Sequence, residues 1–129
     1  MSNRPSILPE DGSNLIIAAA LEVHRHLGPG LLESAYEECL CHELETRGIQ
    51  FSRQRSLPIV YKGKTLECGY RLDVVVSNTI LLELKSVEKL LPIHEAQILT
   101  YLKLSGIRTG LLINFNEILL KNGIKRIVF

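Results

Sequence analysis

The sequence has little net charge, few cysteines and no long hydrophobic run. Its formal charge is only +1, whereas proteins that coat DNA carry a basic excess, so any contact with a polyanion must rely on local patches or on a metal ion. The three cysteines, Cys39, Cys41 and Cys68, form no CxxC pair, and an odd number of scattered thiols suits a reducing cytoplasm. The longest apolar run, residues 15–21, is too short to cross a bilayer, which predicts a protein with no membrane partner.

The remaining composition is that of one globular domain. The chain has 129 residues, of which 46% are hydrophobic and 22% are charged, so a sizeable core can form and a second module is not expected. The start of the chain is polar, is interrupted by Pro5 and Pro9, and carries no signal-peptide pattern. We therefore expect a flexible N-terminal arm over residues 1–11, a folded domain over residues 12–129 and a cytoplasmic protein.

Two helices are predicted in the first half of the chain. Ser13 or Asn14 is suited to cap a helix that runs to about residue 27, where Gly28-Pro29-Gly30 ends it. A second helix is predicted from residue 31 to residue 48, because its apolar side chains recur at helical spacing.

Beyond residue 48 the pattern is typical of strands. Residues 49–61 are extended, Lys62-Gly63-Lys64 is typical of a hairpin turn, and residues 65–76 and 79–85 form two further strands of an antiparallel meander. A helix over residues 92–105 leads to a buried strand over residues 110–115 that should run parallel to its predecessor, and residues 125–129 add a short strand. The order α-α-β-β-β-α-β-β predicts an α/β protein with one mixed β-sheet flanked by helices.

Three charged residues fall on neighbouring predicted strands. Glu83 and Lys85 are two residues apart, so their side chains project to the same face, and Asp73 on the preceding strand is able to lie beside them. Charges this close to a core are costly unless they are paired or bind a metal ion. The spacing leaves two interpretations open: a salt bridge between Lys85 and a carboxylate at a strand end, or a site that binds a cation.

The helices contribute further polar side chains. Glu33 lies near the start of the second helix, where the helix dipole by itself favours a carboxylate. His94, Gln97 and Tyr101 share one face of the third helix. A solvated surface is the usual explanation of such a stripe, but a helix that joins two strands of a sheet is expected to pack on that sheet.

Taken together, these segments resemble a known family. Residues 30–36, GLLESAY, match the signature after which the GxxExxY family is named, and the similarity continues through RLD at 71–73, ELK at 83–85, HEAQ at 94–97 with Tyr101, and GLLINF at 110–115. This family resembles the RecB-like branch of the PD-(D/E)XK nuclease superfamily. The resemblance covers nearly the whole chain beyond the first dozen residues, and it implies a restriction-endonuclease-like core.

The resemblance also implies a metal site. Asp73 and Glu83 would be its central ligands, the carbonyl oxygen of Leu84 would be a third, and Glu33 would join them directly or through water. Oxygen ligands of this kind favour Mg²⁺ or Mn²⁺ over zinc.

The other family residues would act on the substrate. Lys85 would position the attacking water or stabilise the charge that develops on the phosphate, and Gln97 and Tyr101 would orient the substrate or the Lys85 region. One departure from the superfamily pattern is Leu72, which stands where proline is expected. That position supplies no ligand, so the departure leaves the proposed chemistry intact.

Three functions follow as hypotheses. The first, implied by the resemblance, is a metal-dependent nuclease that acts on DNA or RNA. The second is a non-catalytic binding or assembly module, which suits the near-neutral charge and the lack of a recognisable DNA-reading domain. The third is hydrolysis of a small phosphate compound. A chain of 129 residues offers little surface for holding a duplex by itself, so a homo-oligomer is a further expectation.

Overall fold

The computed structural model describes residues 11–129, and its central feature is a five-stranded sheet. The elements, in chain order, are α1 (Ser13–Leu27), α2 (Glu33–Thr46), β1 (Phe51–Ser56), β2 (Ile59–Tyr61), β3 (Lys64–Leu66), β4 (Arg71–Val76), β5 (Ile80–Lys85), α3 (Pro92–Ser105), β6 (Thr109–Asn114), a short 3-10 helix (Leu120–Gly123) and β7 (Ile124–Val128). The sheet has the strand order β1-β4-β5-β6-β7, and β2 and β3 form a separate hairpin.

Helices cover both faces of the sheet, and each face has its own apolar core. The alternation of side chains along β5 shows why: Ile80, Leu82 and Leu84 pack under α1 and α2, whereas Leu81 packs under α3. Both β5 and β6 are buried along almost their whole length, as expected of strands at the centre of a covered sheet.

The strand directions confirm the predicted fold class. β5 and β6 are joined by α3 and run parallel, while β1 with β4, β4 with β5 and β6 with β7 are antiparallel pairs. The result is a mixed sheet with a helical crossover, as the order of elements predicted. Within residues 11–129, no helix has the length and apolar character that a membrane span requires.

The strand predicted over residues 65–76 is broken in the structure. Its first residues pair within the β2–β3 hairpin, residues 67–70 belong to no strand, and the remainder is β4. Alternation also fails at Leu72, which packs with Val75 on the α3 face, whereas Val74 and Val76 pack under α1 and α2. Near this point, Gln54 of β1 has a φ of 50° and is not paired with Asp73, although the register of the two strands is the same on either side.

The ends of two predicted segments also differ from the structure. α2 begins at Glu33 and ends at Thr46, two residues inside the predicted helix at each end. It does not start earlier because Leu32 has an extended backbone. The arm predicted over residues 1–11 lies outside the described residues except for Asp11. That residue accepts hydrogen bonds from the Ser13 amide at 3.0 Å and from Arg126 at 2.6 Å.

Candidate active site

The candidate site lies at the edge of the sheet where β4 begins and β5 ends. The backbone pairing of these two strands ends at Val74 and Leu82, the residues next to Asp73 and Glu83. There, side chains take over from the backbone ladder: the Asp73 N–H donates to Glu83 Oε2 at 3.0 Å, and the Leu84 N–H donates to Asp73 Oδ2 at 2.9 Å. These two bonds fix the carboxylates side by side.

Both carboxyl groups are hard to ionise in this position. Burial raises the pKa of Glu83 from 4.5 to about 8, and the negative charge of Asp73 is the second cause. Burial also raises the pKa of Asp73; the Leu84 amide opposes the shift, and the charge of Glu37 adds to it. Two carboxylates held together away from water repel each other, and a cation between them would remove that repulsion.

Lys85 does not neutralise the pair. Within residues 11–129 no ion pair joins Lys85 to a carboxylate, so the strand-end salt bridge is not formed. Its ammonium group donates instead to Gln97 Oε1 at 3.2 Å, and Gln97 Nε2 donates to the Tyr101 hydroxyl at 3.3 Å. Burial, and after it the charge of Glu83, raises the pKa of the Tyr101 phenol. The structure thus places Gln97 and Tyr101 beside Lys85.

His94 shares the face of Gln97 but has a structural contact of its own. Its Nδ1 accepts a hydrogen bond from the Leu91 N–H at 2.9 Å, at the N-terminus of α3. This bond satisfies one of the amides that a helix start leaves without a partner. His94 is therefore explained by helix capping.

Tyr36 determines where α2 begins. Its ring is buried and stacks on Phe115, with ring centroids 4.5 Å apart. Its hydroxyl donates to the Gly28 carbonyl at 2.6 Å and accepts the Leu31 N–H at 3.1 Å. The tyrosine thereby holds the turn before the helix, which gives a physical reason for the spacing between the glycines, Glu33 and Tyr36 in the GLLESAY segment.

Glu33, the first residue of α2, interacts electrostatically with the site. The residue as a whole is exposed, yet partial burial of its carboxyl group raises its pKa. The charge of Asp73 raises this pKa further, and the charge of Lys85 lowers it. Glu33 is therefore within electrostatic reach of both, on the solvent side of the site.

Glu37 and Gln54 also border the site, and neither was predicted. Glu37 is buried one turn beyond Glu33, where its carboxylate accepts hydrogen bonds from Gln54 Nε2 and from an Arg53 Nη, each at 2.9 Å. Gln54 lies opposite Asp73, between the register pairs 53–74 and 55–72. The i, i+4 spacing from Glu33 could have indicated Glu37. Nothing in the sequence indicated Gln54, because its position opposite Asp73 depends on how β1 pairs with β4.

The donor set suits a hard divalent cation. Among the described residues 11–129, no three His, Cys, Asp or Glu side chains form a ready-made metal cage. Mg²⁺ does not need one, because one or two carboxylates usually bind it together with water and substrate phosphate oxygens. Asp73 and Glu83, with their mutual repulsion, fit such a site, and no thiol or imidazole is among the groups that perturb them.

A comparison with protein families agrees with this geometry. The model of the PD-(D/E)XK nuclease superfamily matches residues 10–127, a span that contains every residue of the site described above. Searches among curated proteins and among solved structures gave no significant match.

Proposed function

This chain belongs to the PD-(D/E)XK nuclease superfamily, and from that premise we propose that it is a divalent-metal-dependent nuclease that hydrolyses phosphodiester bonds in DNA or RNA. The observation that carries the proposal is the arrangement of three charges at one sheet edge. Asp73 and Glu83 are locked side by side with raised pKa values, and Lys85 lies next to them without forming an ion pair. The salt bridge that would have explained Lys85 by structure alone is absent among residues 11–129.

Nucleases of this superfamily generally use divalent metals. We propose Mg²⁺ or Mn²⁺, with Asp73 and Glu83 as ligands, the Leu84 carbonyl as a third and Glu33 joining directly or through water. Such an ion supplies charge stabilisation at the phosphate and makes a water molecule nucleophilic near neutral pH. The hydrogen bonds from backbone N–H groups to Asp73 and Glu83 hold the carboxylates in place before any ligand binds, which reduces the free-energy cost of organising the site.

The remaining residues act on the substrate phosphate. The Lys85 ammonium stabilises the negative charge that develops on the phosphate oxygens, or holds the attacking water, because it lies close enough to Asp73 and Glu83 to lower the pKa of both. Gln97 holds this ammonium through Oε1, and Tyr101 holds Gln97. A fixed lysine loses less entropy when the phosphate binds, so Gln97 and Tyr101 are proposed to support catalysis through Lys85.

Within the superfamily, we propose membership of the GxxExxY family and of the RecB-like branch. The contacts of Tyr36 with the turn before Glu33 support this assignment, because they explain the residues that the family signature shares with this chain. We propose nucleic acid as the partner. All three cysteines are free in the structure, which supports the proposal of a reducing, cytoplasmic location.

The test is cleavage of labelled DNA and RNA, single- and double-stranded, in Mg²⁺, in Mn²⁺ and in EDTA. We expect metal-dependent cleavage that falls at least about a hundredfold in Asp73→Ala and in Lys85→Ala, as when other groups that stabilise a transition-state charge are removed. Glu45→Ala and Lys103→Ala are the matched controls, because they remove one exposed carboxylate and one exposed ammonium on helices. Both controls should cleave like the wild type.

Two results would contradict the proposal. One is an inactive wild type across all metals and substrates, which would favour the non-catalytic binding module. The other is cleavage that survives in both Asp73→Ala and Lys85→Ala, which would assign the activity to a contaminant or to another site. Competition by nucleotides at least as strong as that by oligonucleotides would instead favour a small phosphate compound as substrate.

A further inference from the structure

The β2–β3 hairpin stands outside the main sheet, at the same edge as the candidate site. It is inserted between β1 and β4, and its C-terminal strand ends seven positions before Asp73. Since β4 runs antiparallel to β5, the start of β4 and the end of β5 meet at one edge of the sheet. The hairpin therefore projects from the edge that carries Asp73, Glu83 and Lys85.

The hairpin has a tight turn and is attached to the site at its base. Lys62 and Gly63 both have positive φ, 49° and 80°, as the tight two-residue turn of a hairpin requires. The Leu57 N–H donates to the Tyr70 carbonyl at 2.9 Å and closes the base. The Tyr70 ring then meets Tyr101 edge-to-face, with centroids 6.2 Å apart. These contacts connect the base of the hairpin to Tyr101 and, through Gln97, to Lys85.

The tip of the hairpin carries exposed side chains that contribute little to packing or ion pairing within the domain. Val60 and Tyr61 are each 62% exposed, although they are consecutive and so point to opposite faces. Lys62 and Lys64 are exposed, and within the described part of the chain neither forms an ion pair with a carboxylate. The Lys62 ammonium lies 5.5 Å from the centre of the Tyr61 ring. Aromatic and cationic groups are thus combined at one exposed tip.

This combination offsets a problem that the site itself creates. The site holds three acidic residues, Glu33, Asp73 and Glu83, and the net charge of +1 supplies no general attraction for a polyanion. Binding of nucleic acid therefore needs local cations near the site. Single strands are typically held by cations along the phosphates together with an aromatic ring on which a base stacks.

Resting on the proposed nuclease function, we propose that the β2–β3 hairpin binds a single-stranded segment of the nucleic-acid substrate next to the scissile bond. Lys62 and Lys64 contact its phosphates, and Tyr61 stacks on a base. The hairpin selects single strands over duplexes, because a base inside a duplex is not available to the Tyr61 ring.

The test is binding of fluorescent 20-nucleotide single strands and matched duplexes in EDTA, followed by anisotropy over a range of salt concentrations. We expect Lys62→Gln/Lys64→Gln to weaken single-strand binding about tenfold and to reduce the slope of log K against log salt by about 1 to 1.5. Tyr61→Ala should weaken it at least about fivefold without changing that slope. The matched control is Lys103→Gln/Arg108→Gln, two exposed cations at the opposite edge of the sheet, which should bind like the wild type.

The outcomes separate this proposal from the nuclease proposal. Equal binding by the wild type and the Lys62→Gln/Lys64→Gln variant would overturn the role of the hairpin, while cleavage by the wild type would still support the nuclease. A wild type that binds no strand in EDTA would also overturn the hairpin proposal, whatever the cleavage assay shows. A hairpin variant that loses duplex and single-strand binding equally would refute the selectivity. Thermal unfolding of each variant identifies any change that is due to misfolding.

Discussion

Replacing Glu83 with glutamine should stabilise the metal-free protein at alkaline pH. In the folded chain, burial and the charge of Asp73 raise the pKa of Glu83 to about 8 from 4.5. The folded state therefore binds this proton more tightly than the unfolded state does. The resulting stability is complete below about pH 4.5 and is lost as the pH rises through about 8. At about 1.4 kcal/mol per pH unit, the pKa shift from 4.5 to about 8 corresponds to a loss of about 5 kcal/mol in the free energy of unfolding.

Glutamine keeps the shape of Glu83 and an oxygen that accepts the Asp73 N–H, but it has no charge to lose. We therefore expect Glu83→Gln to be more stable than the wild type by at least about 2 kcal/mol at pH 8.5, with about 5 kcal/mol as the ceiling, and nearly equal to it at pH 4.5. The assay is urea unfolding in EDTA at a series of pH values. Glu45→Gln, an exposed carboxylate on α2, is the matched control.

Adding Mg²⁺ at pH 8.5 extends the same experiment. A ligand that binds the folded state stabilises it by mass action, so the wild type should gain stability with Mg²⁺ concentration. Glu83→Gln should gain less, because it lacks one of the two charges that hold the ion. Parallel pH profiles for the wild type and Glu83→Gln in EDTA would refute the argument that the buried charge at position 83 is costly.

Three further changes test contacts that position the site. Tyr36→Phe keeps the ring stacking but leaves the Gly28 carbonyl and the Leu31 amide without their partner; it should cost about 1–3 kcal/mol in urea unfolding, and an unchanged midpoint would contradict the role of the hydroxyl. Asn114→Leu removes both bonds to the Val87 backbone, beyond Lys85; we expect a loss of about 2–3 kcal/mol together with slower cleavage, and full activity would show that this loop does not need the clamp. Gly123→Ala would place its Cβ 2.5 Å from the Asn114 carbonyl oxygen; a loss of about 1–3 kcal/mol is expected, and wild-type stability would show that the backbone yields there.

Local chemistry made much of the fold predictable. Gly28-Pro29-Gly30 could not continue a helix cheaply, and the largely apolar run of residues 110–115 is typical of a strand buried on both faces. The helix between two strands required a parallel crossover, which β5 and β6 confirm. These inferences succeeded because each depends on the residues of one short segment.

Where two segments meet, prediction from the sequence was weaker. Strict alternation along β4 would place Leu72 with Val74 and Val76, but Leu72 packs on the opposite face, and the β1–β4 pairing is interrupted next to it, at Gln54 and Asp73. Gln54 has a positive φ at the same point, opposite Asp73. Strand pairing depends on the partner strand as much as on a strand's own residues, so a pattern within one strand does not indicate where the pairing is interrupted.

The sequence by itself determined the residue types and their spacing: Asp73, Glu83 and Lys85 on adjacent strands, with Gln97 and Tyr101 on one helical face. It left open whether Lys85 pairs with a carboxylate. Only the tertiary structure decided that question. In it, Lys85 is hydrogen-bonded to Gln97, and the two carboxylates accept hydrogen bonds from backbone amides. The physical reason is that a charge takes its partner and its pKa from whatever lies around it in space, and those neighbours come from distant parts of the chain.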